Sequence, residues 1–279
     1  MKNIFKILMF TFIIFTGSEF VKKNEASACT VTAGVIQAAS ISGGCDTEPD
    51  SYTITIYDMY LCTAAPTAPT TSASIGLGNC ERAFESSSGT TVTVSTSGNV
   101  AVTGTFTKPP NGSYTHGVIR LDNTFGLTAA MEFSTSQTGR AGGSGVFCAT
   151  NEGSGTNGTG GYTGNSTTCG ATAQTAGTWT ETLNTFDSTF DATVSVSNVN
   201  GSGDDIAAYL INSSGNLAAS EITVDRLDGV ATFANPVVFD DNTSQIELSF
   251  NVSSGMAVDD DSSTLNIGSG PFQVQIITR

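Results

Sequence analysis

The chain has one histidine and one tryptophan in 279 residues, and ten Lys plus Arg against 25 Asp plus Glu. Each shortage excludes something. With His116 alone, a zinc site can hold only one imidazole, and a Ser-His-Asp triad would have to use this residue. His116 shares a strand face with Val118, Arg120 and Asp122, opposite Ile119 and Leu121, which reads as an exposed or rim position. The motifs G-x-S-x-G, H-E-x-x-H and reactive C-x-x-C do not occur, so no catalytic residues are expected. From Cys29 onward six basic residues face 23 acidic ones, a net charge of −17. Such a surface repels phosphate backbones and anionic headgroups, so nucleic acid and membrane are not expected partners.

Long apolar runs are missing as well. Ile7 to Phe15 is a stretch of nine residues behind Lys2 and Lys6, too short for a bilayer span of ~20 residues and typical of a secretory signal. The expected leader is 1–28, ending at Ala26-Ser27-Ala28; Thr16-Gly17-Ser18 is a second possible cleavage site, and lipidation of Cys29 is the alternative to a soluble product. None of the six cysteines lies in the leader. They fall as three consecutive pairs, Cys29/Cys45, Cys62/Cys80 and Cys148/Cys169, an even count that implies disulfides and an oxidising compartment.

Ser and Thr make up 74 residues and Gly 31, with few strong helix formers, a composition that favours strands and turns. Period-two alternation bears this out along the chain. It appears at Ile54/Ile56, Ile119/Leu121, Leu127/Ala129/Met131/Phe133, Val194/Val196, Ile222/Val224, Val237/Phe239, Ile246/Leu248/Phe250/Val252 and Phe272/Val274/Ile276, with a further run at Val100/Val102 and Phe106. In the first run Ile54 and Ile56 are followed by Met59 and Leu61, a slip that places a β-bulge near Tyr57-Asp58. Pro66 and Pro69 mark the Cys62–Cys80 interval as a surface loop, and Pro109-Pro110-Asn111-Gly112 is a turn. Residues 136–175 are Gly- and Thr-rich with almost no apolar side chain, and read as a long loop stapled by Cys148/Cys169.

Tyr52 to Leu61, Gly89 to Val94, Asn111 to Leu121 and the closing runs Ile246 to Val252 and Phe272 to Ile276 are similar to a family of secreted bacterial immunoglobulin- or prealbumin-type domains of unknown function. The resemblance implies one antiparallel β-sandwich domain from about residue 46 to 279; the stapled insertion at about 136–175 and the lack of a clean lipobox are departures from the usual member, and the Cys29/Cys45 pair marks an N-terminal disulfide-linked segment 29–45. The resemblance implies no activity. Two β domains split near residue 172 are the alternative.

Candidate functional residues are sparse. Gly153-Ser-Gly155-Thr-Asn-Gly158 matches G-x-G-x-x-G but lacks the flanking strand and helix that aim amides at phosphate. Acidic clusters at Asp204-Asp205, Asp240-Asp241 and Asp259 to Asp261 are placed in turns. Asn198, Asn200, Asp204 and Asp205 form the best candidate for calcium, a cation held by several oxygens. Tyr162 and Trp179 could together form a sugar-stacking platform, although Trp179 is in phase with Leu183 and a packing role fits it better. The expectation is therefore a secreted, non-enzymatic structural, cell-surface or appendage protein that needs no cofactor. The alternative is an extracellular carbohydrate-binding module with a structural calcium, with a glycan or a cell-surface protein as partner.

Overall fold

Alternating apolar and polar side chains become strand almost everywhere they occur. The structure is a computed structural model, which describes residues 28–278 apart from 96–97, 100–101, 244–245 and 262. The apolar stretch of the expected leader and Val100 thus lie outside the described residues. In chain order the first strands are β1 (Val31–Thr32), β2 (Val35–Ile36), β3 (Cys45–Thr47), β4 (Ser51–Cys62), β5 (Cys80–Val94), β6 (Gly98–Asn99), β7 (Thr105–Phe106) and β8 (Gly112–Asp122). Then come β9 (Thr124–Thr128), β10 (Ala130–Thr138), β11 (Ser144–Thr150), β12 (Gly153–Gly158), β13 (Gly161–Tyr162), β14 (Thr167–Gly170) and β15 (Trp179–Leu183). The rest are β16 (Thr193–Val196), β17 (Asp205–Ile211), β18 (Arg226–Phe239), β19 (Ile246–Asn251), β20 (Met256–Asp261), β21 (Thr264–Ser269) and β22 (Gln273–Thr278). The described residues contain no α-helix, and no helix is long and apolar enough to cross a membrane.

The strands form one long curled sheet and three small ones. The long sheet runs β13-β12-β15-β9-β4-β8-β18-β17-β16, with β5 also on β4 and β7 on β5; the small sheets run β1-β2-β10-β11-β14, β22-β19-β6 and β21-β20-β3. Among the described strands, pairing is antiparallel except for β12/β15 and β2/β10, which are parallel, so the all-antiparallel expectation is corrected to a mixed arrangement. The long sheet crosses residue 172, because β12 lies beside β15.

The bulge in β4 is present. Register shifts between Ile56 and Asp58 against both β5 and β8, so Tyr52, Ile54 and Ile56 stay buried and the inward phase resumes at Met59 and Leu61. The Leu127-to-Phe133 alternation is shared by two sheets: the chain leaves β9 at Thr128 and enters β10 at Ala130, with Leu127, Ala129 and Phe133 all buried.

Residues 136–175 are sheet rather than loop. β11 through β14 lie there, Cys148 and Cys169 are direct cross-strand partners inside the main core, and Thr150 and Thr167 are fully buried. Apolar alternation is absent because these strands pack by close backbone approach. A Cβ on Gly145 would fall 1.9 Å from the Gly170 carbonyl oxygen, and one on Gly155 would fall 2.6 Å from the Trp179 ring. Glycine is what lets these elements meet.

Other local expectations change too. Ile222 is 90% exposed on a single 3₁₀ turn, Glu221–Thr223, where the Ser220 and Thr223 side chains form a capping box, so the expected Ile222/Val224 strand is not there. Asp259 to Asp261 close strand β20 against β21 and are not a turn. The outer sheet face at Val118 is covered, because Cys62, Val118, Val230 and Ile75 of the Cys62–Cys80 loop form their own apolar cluster. His116 is consequently half-buried, its Nδ1 is 2.8 Å from Thr115 Oγ1, and burial lowers its pKa. On the same face Arg120 makes two 2.8 Å bonds to Asp228, whose side chain is 0% exposed. Burial raises the Asp228 pKa while the Arg120 hydrogen bonds oppose it.

Candidate functional site: an apolar cleft with a buried carboxyl

Between the inner face of β8, β18 and β17 and the segment from Ser269 to Ile276 lies a cleft of about 550 Å³. Ile119 and Leu121 from β8, Ile206 and Ala208 from β17, and Val274 and Ile276 from β22 supply its apolar walls. These positions share one face of each strand by the period of two that the sequence shows. At one end three aromatic rings meet: Tyr52 lies 6.0 Å from Phe125 and 5.2 Å from Phe272, centroid to centroid, and Phe125 lies 6.4 Å from Phe272.

This end carries the polar groups of interest. Tyr52 lines the cleft and is 1% exposed, yet its hydroxyl has no hydrogen-bond partner among the described residues. A buried unsatisfied hydroxyl is uncommon, and a polar partner brought by a ligand or water is the usual explanation. Glu181 lies on β15. The alternation that turns Trp179 and Leu183 inward turns Glu181 inward as well, leaving it 2% exposed. Its Oε2 accepts hydrogen bonds from the Ser269 backbone N–H and hydroxyl, both at 2.5 Å, while Oε1 has no partner among the described residues. Burial pushes this carboxyl up to about 7 against the two Ser269 bonds that favour its charged form. Burial first and the Glu181 charge second push Tyr52 well above the usual phenol range. Gly268 leaves the room: a Cβ there would fall 2.7 Å from Glu181 Oε1 and 2.9 Å from the Tyr162 ring.

The cleft's charge has one sign. Asp46, Asp187 and Asp191 line it, and no Lys, Arg or His does so among the described residues. Asp187 and Asp191 also close the loop at its mouth. Asp187 Oδ1 accepts from Ser188 N–H at 2.6 Å, and Asp191 Oδ1 accepts from Thr193 N–H at 2.9 Å.

The residues singled out in the sequence fall in separate places. All three disulfides form as paired there: Cys29–Cys45, Cys62–Cys80 and Cys148–Cys169, with Cα atoms 4.8, 3.9 and 4.0 Å apart. Tyr162 is half-buried on the cleft wall, whereas Trp179 is 3% exposed with its ring against Gly153, Gly155 and Gly164, so the two do not present one open aromatic platform. In the Asn198-to-Asp205 turn the Oδ1 atoms of Asn198, Asp204 and Asp205 serve the backbone. Asn198 Oδ1 accepts from Gly203 N–H at 2.8 Å, Asp205 Oδ1 from Asn198 N–H at 3.0 Å, and Asp204 Oδ1 from Ala234 N–H at 2.7 Å. Asp204 Oδ2 accepts from the Gln273 amide, which ties the turn to β22, and Asn200 sits in the 3₁₀ turn Val199–Gly201. No group of three or more His, Cys, Asp or Glu converges for a metal among the described residues.

Tyr52 and Glu181 were legible only as inward positions. The signal for Glu181 is an acid in phase with Trp179 and Leu183, on the buried side of its strand. No protein-family model, curated protein or solved structure matches this chain.

Proposed function

We propose that the chain is a secreted, non-enzymatic cell-surface or appendage protein, an immunoglobulin- or prealbumin-like sandwich whose cleft serves binding rather than catalysis. The observation that carries this is the cleft itself, with apolar walls from β8, β17 and β22 and the Tyr52 hydroxyl unpartnered among the described residues at one end. Its volume lies in the range of small-molecule sites. Glu181 is held behind the wall by Ser269, and Asp187 and Asp191 hold their own loop, an arrangement for shape rather than proton transfer. The three disulfides support an extracellular location. The sandwich reading is supported by the Tyr52/Phe125/Phe272 contact between layers and by Tyr114, which donates its hydroxyl to the Pro110 carbonyl at 2.8 Å, four residues upstream at a strand start, as in a tyrosine corner.

Two measurements test this. Fractionation of producing cells should place the protein in the medium or envelope with all six cysteines oxidised; a reduced cytoplasmic pool overturns the location. Nile red, a neutral apolar dye, should gain fluorescence on binding and lose it in Ala208→Trp, which fills the cleft; an unchanged signal in that variant overturns the binding role. A carbohydrate-binding module with calcium is the second reading, favoured by Tyr162 on the cleft wall. Glycan binding lost with EDTA would support it.

A further inference from the structure

An apolar cleft alone accepts any greasy body, and its polar end decides which head group it prefers. The Tyr52 hydroxyl is buried, lines the cleft and has no hydrogen-bond partner among the described residues, so a polar ligand group that bonds to it restores what its burial costs. Glu181 is reached through the cleft wall: its Oε2 is held by Ser269, which lines the cleft, its Oε1 has no partner among the described residues, and the Tyr52 phenol feels its charge. Elsewhere the lining carries Asp46, Asp187 and Asp191 and, among the described residues, no cationic side chain. An anionic head entering here would meet only like charge and no counterion. A neutral head satisfies Tyr52 but leaves the acidic field unused. A protonated nitrogen donates to Tyr52 and neutralises the field. We propose that the cleft binds hydrophobic amines, an aliphatic or aromatic body on a single ammonium head seated at Tyr52 with the Glu181 carboxylate as its counter-charge; this rests on the reading of the cleft as a binding site. The near-neutral position of Glu181 fits, because a bound cation would draw the group to its ionised form. At ~30 Å³ per water-sized group the cleft holds about 18 such groups, so an eight-carbon amine fills roughly half of it.

The test is calorimetric titration of the full chain at about pH 8 with octylammonium, 1-octanol and octanoate, with methylammonium as the control for the acidic surface. Octylammonium should bind about tenfold tighter than octanol, octanoate should bind weakest, and methylammonium should give no saturable heat. Glu181→Gln should erase the preference for the amine over the alcohol. Tyr52→Phe should weaken both, and Ala208→Trp should abolish both. Circular dichroism and urea unfolding identify any variant that fails to fold, and the ligand series in the parent protein decides the matter without it. If octanoate or octanol binds as tightly as the amine, or if Glu181→Gln keeps the preference, the amine assignment is overturned and the cleft reading stands. If none of the three gives a saturable heat that Ala208→Trp removes, the cleft holds water only and both readings fall.

Discussion

Glu181 gives the sharpest prediction for stability. Its carboxyl sits at about 7 in the folded protein against an ordinary 4.5, with burial as the larger cause and the Ser269 bonds opposing. Between those two values the folded chain holds a proton that the unfolded chain has released. Stability from this group is therefore complete below pH 4.5 and is lost as pH rises towards 7, the reverse of an ion-paired acid. The interval corresponds to about 3 kcal/mol in total. Glu181→Gln keeps an acceptor for Ser269 and removes the titration. Urea unfolding of parent and variant at matched pH values isolates the effect, because Asp228 and the other shifted groups titrate alike in both. From pH 4.5 to about pH 8 the stability difference should move by about 3 kcal/mol in the variant's favour. Parallel stability curves across that range would refute a buried, charge-disfavouring site at Glu181.

Other substitutions test the frame around the cleft. Arg120→Ala leaves the Asp228 carboxylate buried without its two hydrogen bonds and should cost about 3–5 kcal/mol in chemical denaturation. Replacing Cys148 and Cys169 by alanine opens a 21-residue loop and should cost about 3 kcal/mol, read from the shift in urea midpoint. Excision of residues 141–172 should abolish cooperative unfolding by calorimetry, because it removes β11 through β14 and uncovers Trp179.

Period-two alternation made much of the fold legible, including the slip at Tyr57-Asp58 and the inward Leu248 and Phe250 of β19, because a half-buried strand writes its burial directly into side-chain type; β22 departs from it, with Gln273 buried and Val274 and Ile276 half-buried. Alternation fails where burial is achieved without apolar side chains. β12 is made of Gly, Ser, Thr and Asn, β14 has Cys169 as its one apolar side chain, and Trp179 covers glycines that no local pattern marks. Asp259 to Asp261 read as a turn because acids rarely sit in strands, yet their pairing with β21 is fixed by Val258 and Leu265, both buried beside them. The disulfides were legible because short intervals favour closure. The cleft was not, since it is lined jointly by β8, β17, β18 and the segment from Ser269 to Ile276. That is a property of strands far apart in sequence.

The most direct test of the cleft as a binding site is to map amide NMR shifts of the full chain during titration with octylammonium. Shifts should concentrate around Tyr52, Ile119 to Leu121, Ile206 to Ala208 and Ser269 to Phe272, and should saturate together. Shifts confined to the acidic turns at Asp204-Asp205 and Asp240-Asp241, rising without saturation, would show a cation gathered by surface charge and would contradict a built site.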